Sequence, residues 1–283
     1  MIQCNVKSAK EAYILLCDVL VPLYDAPEAS IISRYLVEDL LGANFWSESP
    51  LTDEQVALVC GAIPRLLAYE PWQYVGGQAD FFGLKFVVSP AVLIPRPETE
   101  ELVHIAMQII KRQNLKIVLD IGTGSGIIPI TLARKTALNL VFGLDISCEA
   151  LAVALLNADT NVVNVTWIAS DILDESLWDS LPKVQMVLSN PPYILPAEQS
   201  MMSSNVLNFE PHLALFVEDD PLLFYKKIGT FVQNHQDKGT HLLFEINEKY
   251  GFEVVELMES LGYSQIQLIQ DMQGKDRIVK AVS

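Results

Sequence analysis

The most specific chemical signal in the chain is an Asn-Pro-Pro-Tyr run after an apolar stretch, formed by Asn190, Pro191, Pro192 and Tyr193. The prolines fix φ and carry no N–H donor, so nearby carbonyl oxygens stay free to accept, as does the Asn190 side-chain oxygen. This set suits a planar NH₂ group, because two acceptors hold its hydrogens while the tyrosine ring covers its plane. Accepting both hydrogens raises the electron density on a weakly nucleophilic nitrogen and positions it for attack. The run therefore predicts a site that activates an NH₂ nitrogen without a metal or a covalent nucleophile, the alternative being a plain proline-rich turn.

A second signal is a glycine-rich turn, in which residues 117–126 read Ile-Val-Leu-Asp-Ile-Gly-Thr-Gly-Ser-Gly. Glycines let the backbone bend sharply and let a ligand approach without a Cβ in the way, although a tight β–α turn is the simpler alternative. The dinucleotide fingerprint needs a glycine where Ile127 stands, and a P-loop needs Gly-Lys-Ser/Thr, so neither motif is present. The observed Asp-x-Gly-x-Gly-x-Gly pattern resembles motif I of the class I S-adenosyl-L-methionine (AdoMet)-dependent methyltransferases.

That resemblance implies AdoMet as the cofactor, with Asp120 facing its positively charged methionyl end and Asn190 also in contact with it. The loop backbone expected to pack against the cofactor comprises Gly122, Thr123, Gly124, Ser125 and Gly126. Two more acids end the next two strands: Asp145 would accept both ribose hydroxyls, and Asp171 would receive the adenine amino group. Helix N-caps are the alternative role of both carboxylates. Ile172 directly follows Asp171, so an apolar cover of the adenine is expected there.

A third block, residues 94–100, reads Ile-Pro-Arg-Pro-Glu-Thr-Glu and resembles the HemK/PrmC family of peptide chain release factor glutamine methyltransferases. Further matches lie at 209–211, 243–246 and 271–279, and the resemblance covers nearly all of residues 70–283. It implies methyl transfer from AdoMet to the side-chain N5 of the glutamine in the Gly-Gly-Gln loop of class I release factors. The Asn-Pro-Pro-Tyr run would hold that amide. Three further residues would shape the substrate-binding wall near the cofactor: Arg96, Thr99 and Glu100.

Two other functions share parts of these signals. Asn-Pro-Pro-Tyr also serves adenine N6 methylation in nucleic acids, and a non-catalytic AdoMet-binding adaptor would keep the glycine loop. The chain has 283 residues, with 19 Lys and Arg against 35 Asp and Glu, and a net charge of −16. Binding to a nucleic-acid backbone or an anionic membrane needs clustered basic residues, so the acidity disfavours both partners. The protein amide is therefore the favoured substrate, and the intact Asn-Pro-Pro-Tyr run speaks against the adaptor.

The hydrophobic pattern predicts the elements that carry these motifs. Residues 8–75 have helical spacing, with capping signals at Ser8, Asp25 and Thr52, a stop at Gly42 and a kink or break at Pro64. From residue 97 strands alternate with helices, which predicts an α/β class I methyltransferase fold. Its Rossmann-like sheet would be mostly parallel, with an antiparallel C-terminal strand. The expected domains are a helical bundle that binds the release factor (1–75), a β-hairpin linker (76–96) and the methyltransferase domain (97–283).

The cysteine pattern and the N-terminus bear on compartment. Cys4, Cys17, Cys60 and Cys148 form no Cys-x-x-Cys, so we expect buried free thiols rather than a metal site or a disulfide. The first ten residues lack the basic and apolar regions of a signal peptide, and no apolar run reaches bilayer-spanning length. A monomeric cytoplasmic enzyme is expected.

Overall fold

The computed structural model describes residues 4–283; positions 1–3, the start of the N-terminal stretch considered above, lie outside the described residues. The chain divides into two compact units. One holds the chain up to Ala79 together with Val88–Pro90 and Ser203–Phe209, and the other holds the remaining residues from Asp80 onward. Within residues 4–283, no helix has the length and apolar character that a membrane crossing requires.

The first unit is helical, and its N-terminal part contains α1 (Ala9–Leu20), α2 (Ala26–Leu41), α3 (Asp53–Leu67) and α4 (Trp72–Gly76). The predicted capping signals are confirmed: Ser8, Asp25 and Thr52 each accept a hydrogen bond from the backbone N–H three residues later. Gly42 ends α2 in the left-handed conformation. Of the two alternatives at Pro64, the break is wrong, because α3 continues to Leu67 with the proline in its last turn; the kink stays a prediction.

The expectation that all cysteines are buried free thiols is wrong. Cys4 and Cys60 form a disulfide with their Cα atoms 5.6 Å apart, which ties the N-terminal segment to α3. Cys148 is a free thiol but exposed, and Cys17 is free and half-buried. The pairing escapes sequence analysis because the two cysteines are 56 residues apart and only the helix packing brings them together.

A hairpin of β1 (Gln78–Phe81) and β2 (Leu84–Val87) precedes the large sheet. The central sheet contains β3 (Ile117–Ile121), β4 (Leu140–Asp145), β5 (Thr166–Ala169), β6 (Met186–Ser189), β7 (His241–Glu245), β8 (Ser264–Gln270) and β9 (Asp276–Val282). Its spatial order is β5-β4-β3-β6-β7-β9-β8; the first five strands run parallel, and β9 is antiparallel to both neighbours. The predicted fold class is therefore confirmed.

Helices cover both faces of this sheet: α5 (Pro97–Gln113), α6 (Ile127–Lys135), α7 (Cys148–Thr160), α10 (Leu223–His235) and α11 (Gly251–Ser260). Short helices lie between these helices in the sequence: α8 (Ser204–Phe209), α9 (His212–Leu215) and the 3₁₀ turns Glu175–Ser180, Pro196–Met201 and Glu248–Tyr250. Side chains alternate along β3, so Leu119 packs with α10 and α11 on one face while Val118 packs with α5 and α6 on the other. The strand order reverses between β3 and β6, and ligands of open α/β sheets bind at the carboxyl edge of such a switch point.

Candidate active site

A cavity of about 1010 Å³, counted with its open mouth, lies at the carboxyl edge of the sheet and is lined by residues of the second unit alone. Its wall comes from the segments that follow β3, β4, β5 and β6, together with residues 91–93 and the region of α9 and α10. Most of the wall is apolar, including Leu144, Ile172 and Phe224. The predicted residues that line it are Gly122, Gly124, Asp145, Asp171, Ile172, Asn190, Pro191 and Pro192.

The glycine loop forms one side of the cavity. Gly122 and Gly124 have φ values of 74° and 54°, a region that other residues rarely adopt, and a Cβ at either would meet no protein atom within 4 Å. The backbone is thus bare where it borders the cavity. Thr123 and Ser125 are buried and, like Gly126, do not line the cavity; a Cβ on Gly126 would instead collide with the packed interior.

Asn157 holds the loop in place, a role that sequence analysis did not predict. Its Nδ2 donates to the Ser125 carbonyl at 2.9 Å and to the Val87 carbonyl at 3.0 Å, while its Oδ1 accepts from the Val87 N–H at 2.6 Å. One buried amide therefore joins α7, the hairpin and the glycine loop. The available signal was a polar residue in the buried stripe of α7, between Ala154 and Ala158.

Asp145 and Asp171 lie on the cavity wall. Asp145 accepts hydrogen bonds from the Gly124 N–H at 2.8 Å and the Ser147 N–H at 3.0 Å, which fixes its carboxylate beside the loop. Asp171 accepts from the Leu173 N–H at 2.8 Å. Neither is a helix N-cap, because Ser147 caps α7 and Asp174 caps the following 3₁₀ turn. Both carboxylates retain lone pairs for a ligand.

Asp120 is fully buried behind the loop and is not among the residues that line the cavity. Neither carboxyl oxygen has a hydrogen-bond partner. Burial raises the pKa of Asp120 to about 7; Thr123, close by but without a hydrogen bond of normal geometry, lowers the pKa, and the Asp145 charge raises it further. An ionised carboxylate here would gain from a nearby positive charge.

The Asn-Pro-Pro-Tyr run follows β6 and divides at its last residue. Asn190, Pro191 and Pro192 line the cavity, whereas Tyr193 is outside the cavity wall and packs partly buried against the core. Burial, and next the charge of Glu245, raise the pKa of the Tyr193 hydroxyl to about 12. The Asn190 Nδ2 donates to the Thr99 hydroxyl at 3.4 Å.

The three residues predicted to shape the substrate wall go to different places, and none of them lines the cavity. Arg96 forms an ion pair with the buried Glu210 at 2.6 Å. Thr99 lies at the start of α5 next to Asn190. Glu100 accepts a hydrogen bond from the Phe82 N–H of the hairpin at 2.6 Å, so its observed contact ties the hairpin to α5.

Glu245 is a buried acid that sequence analysis left without a role. It ends β7, an otherwise apolar strand, and accepts a hydrogen bond from the Thr99 hydroxyl at 2.7 Å. Burial raises the pKa of Glu245 to about 7, against the lowering effect of that hydrogen bond and of the Arg277 charge. Its position at the end of a hydrophobic run, at the carboxyl edge of the sheet, was the signal that could have marked it.

These features fit AdoMet. The wall at Gly122 and Gly124 carries no side chains, so a ligand can approach the backbone closely. The apolar lining suits a purine, and Asp145 and Asp171 provide acceptors for hydroxyl and amino groups. The unpaired buried carboxylate of Asp120 suits a ligand that carries positive charge.

Comparisons with known proteins agree. The family model "Methyltransferase small domain" matches residues 102–208. A release factor glutamine methyltransferase of Flavobacterium psychrophilum is 45% identical over 76% of this chain and 76% of its own length. One from Bacteroides thetaiotaomicron is 37% identical over 92% of this chain and 94% of its own. The catalytic domain of hMettl16, solved with an RNA hairpin, shares the fold with a TM-score of 0.56 at 15% identity, covering 82% of this chain and 81% of that one. The chain belongs to the family of release factor glutamine methyltransferases.

Proposed function

We propose that this enzyme transfers a methyl group from AdoMet to the side-chain amide nitrogen N5 of the glutamine in the Gly-Gly-Gln loop of class I release factors. The observation that carries the proposal is the Asn190 amide on the wall of a cavity that also presents a bare glycine loop and two carboxylates. The named relatives support the choice of substrate, because several of them match most of this chain at 33–45% identity.

AdoMet supplies an electrophilic methyl group on a sulfonium. In this chain Gly122 and Gly124 would border it, Asp145 would accept from the ribose hydroxyls and Asp171 from the adenine amino group. Ile172, which is buried but reaches the cavity, would cover the purine. Asp120 would act from behind the loop as a counter-charge rather than as a direct contact.

The chain's contribution to chemistry is to hold the glutamine amide. Asn190 Oδ1 and a carbonyl of the proline run would accept its two N–H bonds, which removes nitrogen lone-pair density from amide resonance and orients it. Pro191 and Pro192 keep that backbone rigid and free of competing donors. Tyr193 is partly buried against the core. Its ring would border the bound substrate and cover the plane of the glutamine amide.

Recognition of the rest of the release factor is assigned to the helical domain at 1–75, with 76–96 as the linker to the methyltransferase domain at 97–283. The enzyme would act as a monomer in the cytoplasm, on a protein partner, without nucleic acid or membrane. Arg96 would border the Gly-Gly-Gln loop. Thr99, which is buried next to Asn190, and Glu100, through the hairpin contact, would support this wall from behind.

Methyl transfer from radiolabelled AdoMet to purified release factor tests this function. Label on the wild-type factor and none on a Gly-Gly-Ala variant is the expected result. Equal labelling of that variant, or labelling of DNA alone, would rule the proposal out in favour of another acceptor.

A further inference from the structure

Three side chains from distant parts of the sequence form one hydrogen-bond chain at the edge of the cavity. Asn190 follows β6, Thr99 lies in the first turn of α5, and Glu245 ends β7. The Asn190 Nδ2 is 3.4 Å from the Thr99 Oγ1, and that oxygen is 2.7 Å from a Glu245 carboxyl oxygen. Thr99 and Glu245 are only 2% and 3% exposed, so water does not replace either partner.

The chemistry of the three groups fixes the direction of this chain. An ionised carboxylate has no hydrogen to give, so the Thr99 hydroxyl must donate to Glu245. The hydroxyl then has only lone pairs left for Asn190, and only the NH₂ end of that amide can satisfy them. The Asn190 Oδ1 is therefore turned away from Thr99, and no hydrogen-bond partner engages it among residues 4–283.

We infer that Glu245 is a positioning residue which, through the Thr99 hydroxyl, holds the Asn190 amide with its oxygen toward the substrate nitrogen. The inference rests on the proposed function, since a glutamine amide needs acceptors. The two ends of an asparagine amide differ little in shape, so packing alone selects weakly between them. With the Asn190 amide reversed, its NH₂ group would face the NH₂ group of the substrate glutamine and could not accept a hydrogen bond from it.

The surroundings of Glu245 favour this arrangement when the carboxyl is ionised. The charges of Arg277 and Arg96 favour the ionised form, while burial and the charge of Glu98 oppose it. Burial and, to a smaller extent, the charge of Glu245 raise the pKa values of the Tyr193 and Tyr225 hydroxyls, so both are uncharged at neutral pH. Thr99 donates in the direction that stabilises the carboxylate. Assays at about pH 8.5, above the pKa of Glu245, keep the direction of the chain defined.

The first test compares Thr99→Val, which keeps the shape and removes the hydroxyl, with Thr99→Ser, which keeps the hydroxyl. We expect kcat for release-factor methylation to fall at least about tenfold in T99V and to stay within about threefold of wild type in T99S. The Kd for AdoMet should stay within about twofold in both, which also reports that the site is folded. Wild-type kcat in T99V would overturn the inference.

The second test asks whether Glu245 acts through Thr99. A glutamine at 245 can present either oxygen or nitrogen to the hydroxyl, so E245Q no longer enforces the direction. We expect E245Q to lower kcat at least about fivefold in the wild-type background and less than twofold in the T99V background. An equal loss in both backgrounds would contradict the inference.

A readout without release factor separates this inference from the proposed function. The side-chain NH₂ signals of Asn190 in NMR should show slowed hydrogen exchange in wild type and T99S, and faster exchange in T99V and E245Q. Unchanged exchange in all four proteins would refute the hydrogen-bond chain itself. If the wild-type enzyme shows slowed exchange but does not methylate release factor, the proposed substrate is refuted and the hydrogen-bond chain of Asn190, Thr99 and Glu245 is still supported.

Discussion

Alanine substitution at two glycines of the same loop should affect stability most at one position and ligand affinity most at the other. Gly122 and Gly126 both have positive φ, 74° and 80°, so alanine at either position costs about 1–2 kcal/mol of backbone strain. At Gly126 the new Cβ would lie 2.9 Å from both the Ile130 Cδ1 and the Trp167 ring, and 3.2 Å from the Ala154 Cβ. Overpacking of this kind adds about 1–3 kcal/mol. At Gly122 the Cβ would meet no protein atom and would stand on the cavity wall.

We therefore expect Gly126→Ala to lower the free energy of unfolding by about 2–5 kcal/mol and Gly122→Ala by about 1–2 kcal/mol. The order reverses for ligand affinity. A methyl on the wall prevents close approach of the ligand, so Gly122→Ala should weaken AdoMet binding at least about tenfold. Gly126→Ala should bind within about threefold of wild type wherever it is folded, because Gly126 does not line the cavity.

Urea unfolding without ligand gives the stabilities, and isothermal titration calorimetry with AdoMet gives the affinities. Ala154→Gly, which removes one of the colliding atoms, serves as a background in which Gly126→Ala should be better tolerated. Equal destabilisation by the two alanines would refute the packing role of Gly126. Wild-type affinity for AdoMet in Gly122→Ala would refute the placement of Gly122 on the cofactor-binding wall.

Three further predictions follow from the site and the first unit. Asn190→Ala should bind AdoMet within about threefold of wild type yet lose turnover by at least about 100-fold in single-turnover assays; retained turnover would contradict the amide-holding role. The pKa of Asp120 is raised above its unfolded value, so its contribution to stability is present at low pH and is lost as pH rises through about 7. Asp120→Asn, whose amide does not ionise, should raise the free energy of unfolding of the ligand-free enzyme at pH 8 by about 1–3 kcal/mol, with the gain fading by pH 5, as measured by urea titration. Breaking Cys4–Cys60 opens a long loop in the unfolded chain, so dithiothreitol should lower the stability by up to about 4 kcal/mol, and Cys17→Ser should leave that response unchanged.

The strands that carry the motifs were predictable because each is a short apolar run that ends in a polar residue. The run that ends in Asp145 forms β4 (Leu140–Asp145), and the run that ends in Glu245 forms β7 (His241–Glu245). Parallel strands bring their carboxyl ends to one edge of the sheet. For this reason acids placed after two different strands, Asp145 and Asp171, meet in one cavity.

The short elements were not predictable in the same way. Trp72–Gly76 form the short helix α4, and the stretch after the Asn-Pro-Pro-Tyr run contains the 3₁₀ turn Pro196–Met201. One or two turns of helix show no full hydrophobic period, so the pattern does not separate them from loop.

Side-chain contacts between residues far apart in the sequence were also not predictable. The contact of Thr99 with Glu245 spans 146 residues, and that of Arg96 with Glu210 spans 114. The Pro-Arg-Pro-Glu-Thr-Glu block marked Arg96, Thr99 and Glu100 as a group, yet a helix start sends neighbouring side chains in different directions. Thr99 therefore meets Asn190 while Glu100 reaches the hairpin.

The central claim is that the methyl group arrives on a glutamine amide nitrogen. Mass spectrometry of proteolytic peptides, after incubation of the enzyme with AdoMet and a class I release factor, locates that methyl directly. The proposed function predicts a single added methyl on the side-chain nitrogen of the Gly-Gly-Gln glutamine, absent when Asn190→Ala replaces the wild-type enzyme. A methyl on another residue, or an unmodified release factor beside methylated nucleic acid, would contradict it.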